Sequence, residues 1–260
     1  MKVNSADGVS IAYQVAGSGK PALVFVHGYC CDGSYWQAQV PYFAQRCEVV
    51  TIDLAGHGES GTDRKTWSKA AFGGDVVAVV KELHLGQVIL IGHSMGGLVI
   101  VEAALQMPEC VAGLVIVDTF SDVEQTTSRE ETEAFIAALQ SDFVSSMRQF
   151  VNGLFTPHSD PILAQKISAD TSAAPPTVAI GILRDMYLKE RALSLSFDKV
   201  KAPIRCIASD RRRVNIEAAK RHASSFEVVY MSNVGHFVMM EDPETFNGFL
   251  DEIVKKLSSH

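Results

Sequence analysis

The feature that most constrains the fold is the segment 92–97, Gly-His-Ser-Met-Gly-Gly, which stands between an apolar run and a helical pattern. The run at 88–91 predicts a buried strand, and the pattern at 98–106 predicts a helix. A sharp turn between them needs small residues, because side chains at Gly92 and Gly96 would clash with neighbouring backbone. The segment therefore predicts a strand, a tight turn carrying Ser94, and a helix that begins directly after it.

Short apolar runs alternate with amphipathic stretches through the first 120 residues, which predicts an α/β fold with a parallel sheet flanked by helices. Hydrophobic residues make up 47% of the chain and charged residues 20%, so a large core can form without disulfide or metal support. The predicted strands are 9–15, 22–26, 49–52, 88–91, 114–117, 203–208 and 226–231. The predicted flanking helices are 35–44, 68–83, 95–106 and 243–257.

The rhythm changes after Asp118, where helical periodicity continues for about 80 residues before the strand pattern returns. The predicted helices are 130–139, 143–155, 162–167 and 178–188. This pattern predicts a single domain with core segments 1–120 and 198–260 and a helical cap inserted at about 121–197.

Charge and cysteine usage exclude several classes of protein. The formal net charge of −7 argues against a nucleic-acid partner, which requires clustered Lys and Arg, and the short run 211–213 is interpreted as a solvated loop. Five cysteines without paired spacing predict free thiols in a reducing compartment. Because no apolar segment resembles a signal peptide or a membrane span, we expect a cytoplasmic protein with no membrane partner.

Three segments carry candidate chemistry. Ser94 is the candidate nucleophile, and the backbone N–H of Met95, at the positive end of the following helix, can stabilise an oxyanion. The segment 27–29, His-Gly-Tyr, follows a predicted strand and offers the Tyr29 N–H as a second donor. His236 follows Gly235 in a loop near the end of the chain, and its order after the serine suits a general base.

Together these motifs resemble the α/β-hydrolase superfamily, in its esterase, lactonase and carbon–carbon hydrolase branch. The resemblance rests on residues 27–28, 53–60, 92–97 and 235–237. It implies a mostly parallel eight-stranded sheet flanked by helices, with the helical cap inserted after strand six. It also implies that Asp53 and His57 mainly shape the turn after the fourth strand, and His27 is interpreted in the same way as a structural residue.

The acid that should orient His236 departs from the family pattern. Similar hydrolases place it in the loop after the seventh strand, at a position that Arg212 occupies here, and a cation cannot accept the imidazole N–H. Asp118, at the end of the sixth predicted strand, is the first candidate and resembles the relocated acid of haloalkane dehalogenases. Asp210, two positions before Arg212, is the alternative.

The predicted function is that of a serine hydrolase, a carboxylesterase or lactonase that forms an acyl-enzyme on Ser94 and needs no metal or organic cofactor. The expected partner is a small-molecule ester or lactone, largely apolar, and the expected assembly is a monomer or homodimer. Two alternatives remain: a carbon–carbon bond hydrolase using the same residues, and a hydrolase-like ligand receptor. Candidate pocket residues are Trp36, Phe143, Met147, Phe150, Leu154, Ile182, Met186 and Tyr187.

Overall fold

The chain folds around an eight-stranded sheet in a computed structural model that describes residues 1–125, 128–188 and 194–258. The strands are β1 Lys2–Asn4, β2 Ser10–Ala16, β3 Ala22–Val26, β4 Glu48–Asp53, β5 Val88–His93, β6 Val111–Val117, β7 Ile204–Ser209 and β8 Glu227–Met231. Their order in the sheet is β1-β2-β4-β3-β5-β6-β7-β8. The pairs β1–β2 and β2–β4 are antiparallel, and all the others are parallel.

Helices cover both faces of the sheet. Before β7 the helices are α1 Gln39–Phe43, α2 Lys69–Glu82, α3 Met95–Gln106, α4 Arg129–Ser141, α5 Phe143–Asn152, α6 Pro161–Ser172, α7 Pro176–Ile182 and α8 Ser194–Phe197. After β7 they are α9 Ile216–His222, α10 Val238–Glu241 and α11 Pro243–Leu257. A 3₁₀ turn at Gly33–Trp36 and a π-helical stretch at Leu183–Leu188 complete the regular structure of the described ranges.

The buried core has two layers because successive side chains of a strand point to opposite faces of the sheet. In β3, Val24 and Val26 pack with the α2 and α3 side chains, whereas Leu23 and Phe25 pack with those of α11. All four are fully buried. This explains why the central strands read as continuous apolar runs, as expected for a parallel sheet that is covered on both faces.

Several of the predicted helices are wrong in their extent. The stretch 35–44 divides into the 3₁₀ turn and α1, because Pro41 has no N–H to donate to an earlier carbonyl. The stretch 178–188 is α7 followed by the π-helical turn, in which the Asp185 carboxylate accepts the Trp67 N–H at 2.8 Å. Helix α5 ends at Asn152 rather than 155, since Gly153 is a poor helix former.

Helices α4 to α7 lie between β6 and β7 in the chain, and we call residues 121–197 the insertion. Its last described helix, α8, packs on α3, and Phe197 lies 5.5 Å from Phe120 between ring centroids. The division of the chain into a core and a cap stays a prediction. Across the described ranges, no helix is both long and apolar enough to cross a membrane.

Candidate active site

Ser94 occupies the turn between β5 and α3 with a strained backbone. Its φ of 52° and ψ of −118° lie outside the regions that ordinary residues favour. A Cβ on Gly92 would lie 2.3 Å from the Gly96 carbonyl oxygen, and a Cβ on Gly96 would lie 2.5 Å from that of Val26. Only glycine at both positions permits this turn, and its strain is of the kind that functional sites retain.

His236 and Asp118 are joined by a hydrogen bond. The Nδ1–H group of His236 donates to Asp118 Oδ2 at 2.7 Å, and since a carboxylate only accepts, Nε2 is left with its lone pair. The other oxygen, Asp118 Oδ1, accepts the Ser209 N–H at 2.9 Å. The carboxylate is therefore held by the end of β7 while it orients the imidazole.

Asp118 reaches this position because β6 and β7 are neighbours in the sheet. The Asp118 backbone has a φ of 45°, and its N–H donates to the Ile207 carbonyl at 3.0 Å. Asp210 lies one residue beyond β7, where its backbone N–H donates to the Met231 carbonyl. Within the described ranges no hydrogen bond joins the Asp210 carboxylate to His236.

The loop after β3 brings a backbone donor to the same place. A Cβ on Gly28 would lie 3.2 Å from Ser94 Cβ, so the absence of a side chain allows this loop to approach the serine. In the described part of the chain the Tyr29 N–H has no protein acceptor, whereas the next N–H, on Cys30, donates to His57 Nε2 at 3.3 Å. The Met95 N–H is also without an intrahelical acceptor, because it opens α3.

Two buried histidines hold this loop. His27 Nε2 accepts the Leu54 N–H at 3.0 Å, and its Nδ1–H donates to the Gly28 carbonyl at 2.8 Å. Burial lowers the pKa of His27 to about 4 and that of His57 to about 3. Both rings are thus neutral at pH 7, as their roles as acceptors require.

His93, directly before Ser94, contacts the base loop. Its Nε2–H donates to the His236 carbonyl at 3.0 Å, and the two ring centroids are 4.7 Å apart. Burial holds the pKa of His93 well below its usual range. The strand that carries Ser94 therefore also supports His236, a contact that nothing in the sequence pattern indicates.

Two cavities meet at Ser94 and His236. The first has a volume of about 450 Å³ and a mainly apolar lining. Beyond Ser94 and His236, its lining includes Tyr29, Cys31, Phe135, Met147, Phe150, Val151, Leu154, Leu183, Tyr187 and Phe237. Of the predicted pocket residues, Trp36 and Ile182 belong to the core instead, and Phe143 packs against it.

The second cavity, of about 580 Å³, has a mixed lining in which polar and apolar groups contribute about equally. Its own lining includes Lys69, Thr119, Ser121, Asp122, Gln125, Ser128, Met186 and Arg212. The prediction of an apolar pocket therefore describes only one side of Ser94. The three arginines of 211–213 are exposed, but Arg211 Nη1 donates to the Phe155 carbonyl at 2.7 Å and so binds the insertion.

No group of three or more metal-ligating side chains comes together within the described ranges. The chemistry available at the site is that of a hydroxyl, an imidazole oriented by a carboxylate, and two backbone N–H groups. This set matches nucleophilic attack on a carbonyl with stabilisation of the resulting oxyanion.

Comparison with known proteins identifies the family to which this fold belongs. The model of the alpha/beta hydrolase family matches residues 23–249. The chain belongs to this family. The matched range spans the positions of Ser94, Asp118 and His236, and the family's fold is the one described above.

Individual relatives of this alpha/beta hydrolase are distant. 3-Oxoadipate enol-lactonase 2 of Acinetobacter baylyi is 23% identical over 98% of this chain and 96% of its own length. An uncharacterized protein of Mycobacterium tuberculosis is 33% identical over 45% of this chain, which spans only 34% of that relative's length. A thermophilic esterase from Thermogutta terrifontis superimposes with a TM-score of 0.85 at 24% identity, covering 99% and 98% of the two chains, and this likeness shows the fold alone.

Proposed function

We propose that this protein hydrolyses carboxylic esters or lactones through an acyl-enzyme on Ser94, with His236 as general base and Asp118 as the acid that orients it. The observation that carries the proposal is the 2.7 Å hydrogen bond from His236 Nδ1 to Asp118 Oδ2, beside a serine on a strained turn. It supports the proposal because the bond selects the imidazole tautomer that can remove a proton from the serine.

The proposed reaction has two halves. His236 Nε2 takes the hydroxyl proton as Ser94 Oγ attacks the carbonyl carbon, and the resulting imidazolium returns that proton to the leaving alcohol. Water then attacks the acyl-enzyme and gives a proton to His236, which passes it back to Ser94 Oγ as the acid leaves. The Asp118 carboxylate stabilises the imidazolium in both halves without accepting its proton.

The Tyr29 and Met95 N–H groups are proposed to bind the oxyanion of each tetrahedral intermediate. Both come from backbone that is held in place, one by the loop that His27 and His57 fasten and the other by the start of α3. Such donors need no rearrangement when the charge develops, and losing one typically costs about 10²–10³ in kcat.

The proposed substrates are small to medium esters or lactones with a substantial apolar part. The apolar cavity of about 450 Å³ supports this class, because Met147, Val151 and Phe237 would surround an acyl or alkyl group. Among the described residues, Glu131 is the only Asp, Glu, Lys or Arg whose side chain lines it.

The test is hydrolysis of 4-nitrophenyl acetate, butyrate and octanoate by the wild type and by Ser94→Ala. We expect turnover by the wild type and a loss of about 10⁴-fold or more in kcat in the variant. Ser146→Ala is the matched control, because this exposed hydroxyl only donates to the Ala138 carbonyl. A fluorophosphonate should add covalently to the wild type and to Ser146→Ala but not to Ser94→Ala, as read by intact mass.

Other outcomes would reject the ester proposal. A folded wild type that cleaves no ester but hydrolyses a vinylogous diketone would indicate a carbon–carbon hydrolase. A folded wild type that turns an ester over once and retains the product tightly would indicate a ligand receptor.

A further inference from the structure

Glu241 folds back onto the loop that carries His236. It is the last residue of α10, which begins two residues after His236. Its Oε2 accepts the Gly235 N–H at 2.9 Å, and its Oε1 accepts the Phe237 N–H at 3.2 Å. One carboxylate therefore binds the backbone on both sides of His236.

The third N–H of this loop, that of His236 itself, is also bonded. It donates to the Leu154 carbonyl in the insertion at 2.9 Å. The His236 carbonyl in turn accepts from His93 Nε2. All three consecutive N–H groups thus have acceptors, and two of these acceptors belong to Glu241.

Glu241 is bonded to the insertion as well. The Ser159 hydroxyl donates to Glu241 Oε2, the same oxygen that accepts from Gly235. Nearby, the rings of Phe155 and Phe237 are stacked with centroids 5.4 Å apart. The segment 154–159, which follows α5, is therefore fastened to the base loop at several points.

The close approach of Glu241 and segment 154–159 to this loop requires a glycine directly before His236. A Cβ on Gly235 would lie 2.5 Å from the Leu154 carbonyl oxygen and 2.9 Å from Glu241 Oε1. The close packing that excludes a side chain here is what brings the carboxylate and the insertion against the loop.

We propose that Glu241 is a positioning residue that holds His236 in place relative to Ser94 and couples the position of His236 to that of segment 154–159. Leu154 lines both cavities, so a substrate that moves this segment would move the base with it. The inference rests on the proposed function for its kinetic consequence. The geometry that Glu241 imposes on the His236–Asp118 pair can be measured without any substrate.

Two variants that remove different numbers of hydrogen-bond acceptors test the positioning role of Glu241. Glu241→Gln keeps one oxygen acceptor but loses the second and the charge, and Glu241→Ala loses all acceptors. Because a displacement of about 1 Å at the reacting groups costs about 10²-fold in rate, we expect kcat for 4-nitrophenyl butyrate to fall about 100-fold in Glu241→Ala. We expect a smaller fall in Glu241→Gln, with KM changed less than about twofold in both, since neither variant alters the lining of the cavities.

Ser159→Ala removes the hydrogen bond between the insertion and Glu241 while Glu241 remains in place. If the carboxylate transmits the position of segment 154–159, this variant should lower kcat by an intermediate factor with KM again unchanged. Glu244→Gln is the matched control, because this exposed glutamate lies only three residues further on and makes no hydrogen bond with its carboxylate in the described ranges.

The substrate-free measurement is the downfield proton resonance of the His236 Nδ1–H group, identified by its loss in Asp118→Asn. We expect it to broaden or shift upfield in the Glu241 variants and to stay unchanged in Glu244→Gln. A purely structural role would lower the unfolding free energy but leave kcat and this resonance as in the wild type, which would overturn the proposal. If the wild type cleaves no ester, the proposed function fails, yet the resonance still tests whether Glu241 positions His236.

Discussion

The side chains of Asp118 and His236 are bonded at 2.7 Å although the two residues are 118 positions apart in the chain. The contact depends on the adjacency of β6 and β7, since Asp118 directly follows one strand and the Ser209 N–H at the end of the other holds the second carboxylate oxygen. Arg212 occupies the position at which the resemblance to similar hydrolases places the acid, and we propose that Asp118 takes that role instead.

We therefore expect Asp118→Asn to lower kcat for 4-nitrophenyl butyrate by about 10³–10⁴-fold, because the amide no longer selects the reactive tautomer of the imidazole. Asp210→Asn is the matched control in the adjacent loop and should stay within about twofold of the wild type. A large loss in Asp210→Asn with normal activity in Asp118→Asn would assign the acid to Asp210 instead.

Acyl-chain preference should depend on Met147, which lines the apolar cavity and is completely buried. Met147→Ala enlarges the cavity, and we expect the ratio of kcat/KM for octanoate over butyrate to rise about tenfold, since each methylene in an apolar pocket is worth about 10-fold or more. Val144→Ala, on the same helix but 45% exposed, should leave the ratio unchanged. An equal ratio in both variants would mean that the acyl group binds elsewhere.

The free energy of unfolding should depend strongly on Asp75. Its carboxylate, 0% exposed, accepts from the Arg64 guanidinium at 2.6 and 2.9 Å. Asp75→Asn removes the buried carboxylate and leaves the buried guanidinium with the half-exposed Asp7, and we expect a loss of about 3–5 kcal/mol in urea unfolding.

A second carboxylate that binds Arg64 provides the control for this prediction. Asp7, whose carboxylate is 41% exposed, binds the same guanidinium, and Asp7→Asn should cost only about 0–1 kcal/mol because solvent screens the pair. Similar losses in the two variants would contradict the assignment of Asp75 as the buried partner.

Stability should fall as the pH rises above 6.5, through deprotonation of His222. This imidazole bonds Asp198 at 2.7 Å and Glu124 at 3.1 Å, near the two ends of the insertion, and Arg221 also binds Glu124. The hydrogen bond to Asp198, and then that to Glu124, raise the pKa of His222 above its ordinary 6.5. The contribution of His222 to the free energy of unfolding is therefore complete below pH 6.5. It is lost as the pH rises through the higher pKa of the folded state.

The measurement is the melting temperature of the wild type and of His222→Gln from pH 6 to about pH 9. The melting temperature of the wild type should exceed that of His222→Gln at low pH, and the difference should shrink as the imidazole deprotonates. A difference between the two proteins that does not change with pH would show that the ring acts only through packing.

Much of the architecture followed from local patterns. The apolar runs predicted the strands because a sheet covered on both faces needs side chains that are apolar in both directions. The turn at Ser94 was readable because all its requirements, two glycines, a preceding strand and a following helix, lie within a few residues. The extents of α1 and α7 could not be read from the sequence, because a proline and a tertiary hydrogen bond interrupt the periodic pattern there.

The sequence by itself determined the fold class, the strand-turn-helix at Ser94 and the identity of His236 as the candidate base, because each depends on contiguous residues or on chain order. Only the tertiary structure brought Asp118 rather than Asp210 to the imidazole, opened a second cavity of mixed polarity beside the apolar one, and placed the Glu241 carboxylate against the backbone on both sides of His236. These contacts join residues whose proximity is set by strand adjacency and by the packing of the insertion, and no local pattern in the chain encodes such distances.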